Sequence, residues 1–111
     1  MTFRRRASVL LAGTAGALLL VMGSPVTASA AQTYTTADVR LNIRSGPGTS
    51  YSIVGTLPGS SQVLIYCQTP GTTVTGTYGT SNIWDNISNG EFIADAYVNT
   101  GSDGYIASRC A

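Results

Sequence analysis

The stretch Leu41-Asn42-Ile43-Arg44-Ser45-Gly46-Pro47-Gly48-Thr49-Ser50-Tyr51 decides how this chain is read. Val39, Leu41 and Ile43 fall on one side of a two-residue period, with Arg40, Asn42 and Arg44 on the other. That alternation predicts a half-buried strand over Val39 to Arg44. Pro47 has no N–H for a strand ladder and fixes its own φ, and its flanking glycines accept backbone conformations that other residues avoid. The strand therefore ends in a Ser45 to Ser50 loop, and the chain restarts at Tyr51.

Upstream of that strand the chain changes character. Arg4, Arg5 and Arg6 precede an apolar run of 14 residues, Val9 to Met22, and Ala28-Ser29-Ala30 supplies small residues at a cleavage position. A basic start, a short apolar middle and an A-x-A end describe a secretory signal peptide over residues 1–30. The run is too short for a bilayer, which needs about 20 residues. It holds no Cys for a lipid anchor, and the paired arginines would also suit twin-arginine export. Cleavage after Ala30 leaves 81 residues, one small domain. Residues 31–38 read as a flexible arm and residues 39–111 as the folded body.

Removing the leader also inverts the charge. Arg40, Arg44 and Arg109 face Asp38, Asp85, Glu91, Asp95 and Asp103, three against five, for a net charge of −2. An acidic domain without Lys offers no electrostatic footprint for nucleic acid or an anionic membrane. Cys67 and Cys110 are the two cysteines, both in the exported part, and number and compartment together predict one disulfide. It closes a loop of about 44 residues, worth roughly 4 kcal/mol in the chain-entropy model.

Beyond Tyr51, Ser52 to Leu57 predicts a second strand, Pro58 to Ser61 a turn, and Gln62 to Cys67 a third strand. That third strand is apolar on both sides, through Val63 and Ile65 and through Leu64 and Tyr66, so it is expected to be covered on both faces. Gln68 to Ser81 reads as a long polar connection with a β-ribbon around Thr73 to Tyr78. Asn89-Gly90 then marks a two-residue hairpin between Ile83 to Ser88 and Glu91 to Ala94. Regular pairing from it sets Ile87 opposite Phe92, Asn86 opposite Ile93 and Asp85 opposite Ala94. Ile83, Ile87, Phe92 and Ala94 then share the inner face, and Trp84, Asn86 and Ile93 the other. Asp95 to Val98 suits one tight helical turn, and Tyr105 to Ala107 a last short strand.

The order of these pieces resembles the bacterial SH3 (SH3b) domain family. Asn42 to Pro47, Tyr51, Gly55-Thr56-Leu57, Val63 to Cys67, Trp84 and Gly90 to Tyr97 follow one another as that family's motifs do, over roughly Val39 to Val98. The longer Gln68 to Ser81 connection and the Cys110 tail depart from the family's usual form and are similar to small exported actinobacterial members. The resemblance implies an all-β, small SH3-like antiparallel barrel. It further implies a role in recognising cell-wall components, chiefly peptidoglycan peptides.

The side chains that carry acid–base chemistry are scarce. There is no His, no Lys beyond the leader and no G-x-S-x-G, and the carboxylates are scattered. Asp85 and Asp95 can be neighbours across the hairpin, as glycoside hydrolysis needs, but read as solvated rim charges. No cluster has metal-ligand spacing, so no enzyme, metal or cofactor is expected. Asn86-Ile87-Ser88 matches a glycosylation sequon by chance. The aromatics point to binding, because they outnumber what a small core buries with every hydroxyl satisfied. Trp84, Tyr51, Tyr78 and Tyr97 are the candidate ligand-binding residues, and Tyr66 is expected to be structural. Arg44 is a further candidate, for a peptide carboxylate. It would equally cap the Gly46 turn or pair with Asp95. The expectation is a secreted, wall-associated monomer that binds peptidoglycan. A secreted interaction or inhibitor domain that meets an extracellular protein through the 68–81 segment is the alternative.

Overall fold

In a computed structural model of the chain, residues 32–111 are described, and the leader expected over residues 1–30 lies outside them. The described strands are β1 (Gln32–Thr36), β2 (Leu41–Arg44), β3 (Ile53–Leu57), β4 (Gln62–Ile65), β5 (Cys67–Gly76), β6 (Gly79–Ser88), β7 (Glu91–Ala94) and β8 (Val98–Asn99). A 3₁₀ turn, Asp95–Tyr97, joins β7 to β8, as the sequence predicts. Two antiparallel sheets result, one in the order β4-β1-β8 and one in the order β3-β2-β7-β6-β5. The protein is all-β, and Cys67 is bonded to Cys110 with their Cα atoms 4.9 Å apart. Among the described residues no helix is long and apolar enough to cross a membrane.

The core lies where the inward positions of both sheets meet. Leu41 and Ile43 of β2, Val63 and Ile65 of β4, Ile93 of β7 and Val98 of β8 are buried together. Alternation does this: in β2 Leu41 and Ile43 turn inward while Asn42 stays exposed. The same rule corrects the third strand, because Val63 and Ile65 are buried in β4 while Leu64 and Tyr66 are exposed. One face of β4 is covered, not two.

The expected flexible arm is a strand. Gln32, Thr33, Tyr34 and Thr35 pair with Ile65, Leu64, Val63 and Gln62, and Thr36 pairs with Val98 on the other side. The Gln-Thr-Tyr-Thr-Thr run is β-branched and aromatic, and it fills the place between β4 and β8. Thr36 is buried, and its hydroxyl accepts from Ser61 N at 2.9 Å.

The 68–81 segment is likewise more ordered than a connection. It forms the distal part of a β5–β6 hairpin that runs from Cys67↔Asn86 to Gly76↔Gly79, and the expected ribbon is its outer end. The ladder breaks between Pro70 and Val74, where Pro70 has no N–H to donate. The Asn89-Gly90 turn forms with Gly90 at φ +72° and sets Ser88 opposite Glu91. A bulge at Ile87 then shifts the pairing to Asn86↔Phe92, Asp85↔Ile93 and Trp84↔Ala94. That one-residue slip reverses the expected register of β7, while Ile83 of β6 stays buried as expected. Ile93 becomes fully buried and Phe92 only partly buried, and Asp85, on the same side of β6 as Ile83, is buried opposite Ile93.

The last expected strand, Tyr105 to Ala107, does not form. The tail runs past Gln68 instead, with one isolated bridge from Gln68 to Arg109. Gln68 N donates to Ser108 O at 2.8 Å, and Cys110 N donates to Gln68 O at 2.9 Å. The tail thus finds its hydrogen bonds on one residue and its covalent anchor on the next.

Candidate functional site

The five-stranded sheet has an outer face, and β2 sets its character. Arg40, Asn42 and Arg44 share one side of the strand, and Arg44 pairs with Phe92, on the same face as Ala94 and Trp84. A cleft of about 280 Å³ opens on this face. Val39, Leu41, Val74, Trp84, Ala94 and Tyr97 give it apolar walls, and Arg40, Asn42, Arg44 and Thr49 give it a polar rim. No carboxylate lines it.

The floor is fixed by Trp84, which is 2% exposed. Its Nε1 donates to Thr72 O at 2.9 Å, so its polar end is already satisfied. The backbone of Gly71 comes close enough that a Cβ there would lie 2.7 Å from Pro47 C and 2.9 Å from Trp84 Cδ1. Trp84 is therefore a packed floor of the cleft, not the free ligand-facing ring expected. Tyr97 is partly buried at the cleft wall, and its hydroxyl donates to Thr75 O at 3.4 Å.

Arg44 resolves one alternative. Its Nη1 donates to Tyr51 O at 3.1 Å and Thr49 O at 3.3 Å, so it closes the Gly46 loop instead of reaching Asp95. Arg40 Nη1 donates to Thr56 Oγ1 at 3.3 Å. Among the described residues neither guanidinium meets a carboxylate.

The other candidates are dispersed. Tyr51 is 46% exposed and lies against Gly46, outside the cleft lining. Tyr78 sits at the β5–β6 turn, its N–H held by Ala96 O at 2.9 Å, and borders a second, smaller cavity of about 160 Å³. Asp95 and Asp103 line that cavity with Ser81, Asn99 and Thr100. The 3₁₀ turn separates the two, with Tyr97 facing the cleft and Asp95 the acidic cavity. Tyr66, expected to be structural, is 48% exposed. Sequence reasoning missed Val39, Arg40 and Val74 as cleft residues. The alternation of Arg40, Asn42 and Arg44 was the signal for the rim, and only the β5–β6 pairing brings Val74 there.

Asp85 and Asp95 are neighbours, as the hairpin allowed, but they are not solvated rim charges. Asp85 is fully buried and Asp95 nearly so. Gln68 Nε2 donates to Asp85 Oδ1 at 2.7 Å and more distantly to Asp95 Oδ1 at 3.4 Å. Burial, reinforced by Asp95, pushes the Asp85 carboxyl up to about 9, with the Gln68 bond opposing. Burial also raises Asp95; the bond from Asp85 opposes this and Asp103 adds to it. Asp85 Oδ2 meets no donor, which is where a retained proton belongs. Asp85 lines neither cavity, whereas Asp95 lines the second one.

No known protein-family profile matches the chain. It is 47% identical to the uncharacterized protein YraI of Bacillus subtilis over 76% of this chain and 80% of that one. It is 48% identical to the uncharacterized protein YraJ of the same organism over 68% of this chain and 71% of that one. At these identities and coverages the chain belongs to the family of YraI and YraJ.

Proposed function

We propose that this chain is a secreted, non-catalytic binding module, an SH3b-like small barrel that holds a cell-wall peptide in the Trp84-floored cleft. The cleft carries the reading: an apolar floor with a rim of arginine, asparagine and threonine suits a short, weakly charged chain. The basic-apolar-small order of residues 1–30 supports export, and the motif order from Asn42 to Tyr97 supports the SH3b kinship. The sparse acid–base chemistry, with Asp85 walled off from both cavities, supports a binding role over a catalytic one.

Sedimentation of the protein with purified peptidoglycan tests this. The wild type is expected in the pellet. Val39→Ser, which trims an exposed cleft wall, is expected to lower retention about fivefold, the effect of roughly 1 kcal/mol of lost apolar contact. A protein that stays in the supernatant removes the wall-binding role. A second reading, an interaction domain for an extracellular protein, draws on Tyr78, which is 44% exposed at the β5–β6 hairpin tip. Tyr78→Ser leaves wall retention unchanged if the cleft is the site.

A further inference from the structure

The charge of the cleft says more about its occupant than its shape does. The described residues hold three arginines against five carboxylates, and two of the three, Arg40 and Arg44, stand on this rim. They project from the same side of β2 four residues apart, about 13 Å along a strand. Among the described residues neither meets a carboxylate. Arg44 is partly buried and held by two carbonyls through Nη1 alone, so its orientation is set before any ligand arrives. Nε and Nη2 keep their donors for a planar, two-oxygen acceptor. The walls beside it are Val39, Val74 and Ala94, which suit small apolar side chains.

We infer that the cleft recognises a short peptide by its free C-terminal carboxylate, with Arg44 as the fork, Arg40 as a second cation, and a small apolar final residue against Val39, Val74 and Ala94. This rests on the peptide-binding reading above and deepens it. A peptide bond in mid-chain, or a C-terminal amide, leaves both guanidinium groups without an anion. The cleft therefore selects chain ends over chain interiors.

The test is direct binding of the protein to acetyl-Ala-Ala-Ala as the free acid and as the C-terminal amide, followed by titration calorimetry or NMR shifts. The free acid is expected to bind at least about tenfold more tightly, the effect of one charge-assisted hydrogen bond. Arg44→Lys keeps the charge but loses the fork, and is expected to bring the acid and amide affinities within about twofold of each other. Arg40→Gln, at an exposed side chain, is expected to shrink the acid preference without changing the melting temperature. Equal affinity for acid and amide in the wild type overturns the inference, as does displacement of the peptide by equimolar acetate, which would reveal a site for any small anion. Wall sedimentation read in parallel separates the two claims. A wild type that pellets with the wall yet ignores the acid–amide difference keeps the wall-binding reading and loses this one. A wild type that prefers the acid but does not pellet loses the wall and keeps the carboxylate.

Discussion

Asp85 shows what one buried side chain can impose on this protein. A carboxyl held at about 9 in the fold and near 3.8 when unfolded keeps its proton in the native state across the intervening range. The native state then binds more protons than the unfolded one, so stability falls as pH rises from about 4 to 9, by up to about 1.4 kcal/mol per pH unit. Asp95, also raised, acts in the same direction. Urea unfolding between pH 5 and 9 is expected to show a midpoint that declines throughout. Asp85→Asn offers Gln68 the same acceptor without a charge, and is expected to flatten that decline and to be the more stable protein at pH 8. A midpoint that rises with pH in the wild type would mean Asp85 is ionised in the fold. Gly71 makes a steric point at the same scale. Gly71→Ala places a methyl against the Pro47 backbone and Trp84, and is expected to cost about 2 kcal/mol or more. Tryptophan fluorescence would report both the loss and the shift of the cleft floor.

At the level of elements, the C-terminal tail has no strand of its own and is held by Gln68 and by the Cys67–Cys110 disulfide. Gln68 Oε1 accepts from Ile106 N at 2.7 Å and Ala107 N at 3.0 Å, while its Nε2 donates to Asp85. Its main chain holds Ser108 and Cys110. Replacing Cys67 and Cys110 by Ser is expected to cost about 3–4 kcal/mol through unfolded-state entropy, with the tail still seated on Gln68. Gln68→Ala strands two part-buried N–H groups and one buried carboxyl oxygen, and is expected to cost about 3 kcal/mol. Hydrogen exchange at Ile106 and Ala107 distinguishes them: protected in the cysteine double variant, open in Gln68→Ala. The tail was illegible in the sequence for a physical reason. Tyr105 to Ala107 has strand propensity, but its partner is an amide side chain 38 residues away, and no periodicity announces that.

Over the whole molecule, charge is sorted across the 3₁₀ turn: arginines border the cleft, aspartates the second cavity. Raising the salt from about 0.05 to 0.5 M is expected to weaken binding of the free-acid peptide severalfold and to leave the amide nearly unaffected, because screening acts on the exposed rim. Calorimetry at the two concentrations checks it. Of this arrangement, Arg44 was named in advance, and the alternation of Arg40, Asn42 and Arg44 placed all three on one side of a strand. The cleft floor was not readable, because Trp84 is sealed by Gly71 and Thr72 of the β5–β6 hairpin, and Val74 arrives with that same hairpin.

By itself, the sequence determined the β2 alternation, the Pro47 and Gly90 turns, the tight turn at Asp95 and, from there being two cysteines, the pairing of Cys67 with Cys110. Tertiary structure alone decided which of those pieces became interior. The bulge at Ile87 moved Ile93 inward and set it opposite Asp85, β4 and β8 captured Gln32 to Thr36 as a strand, and Gln68 gathered the tail. A one-residue register slip costs little locally yet exchanges the two faces of a strand, so its outcome was settled by burial and by buried hydrogen bonds between distant parts of the chain.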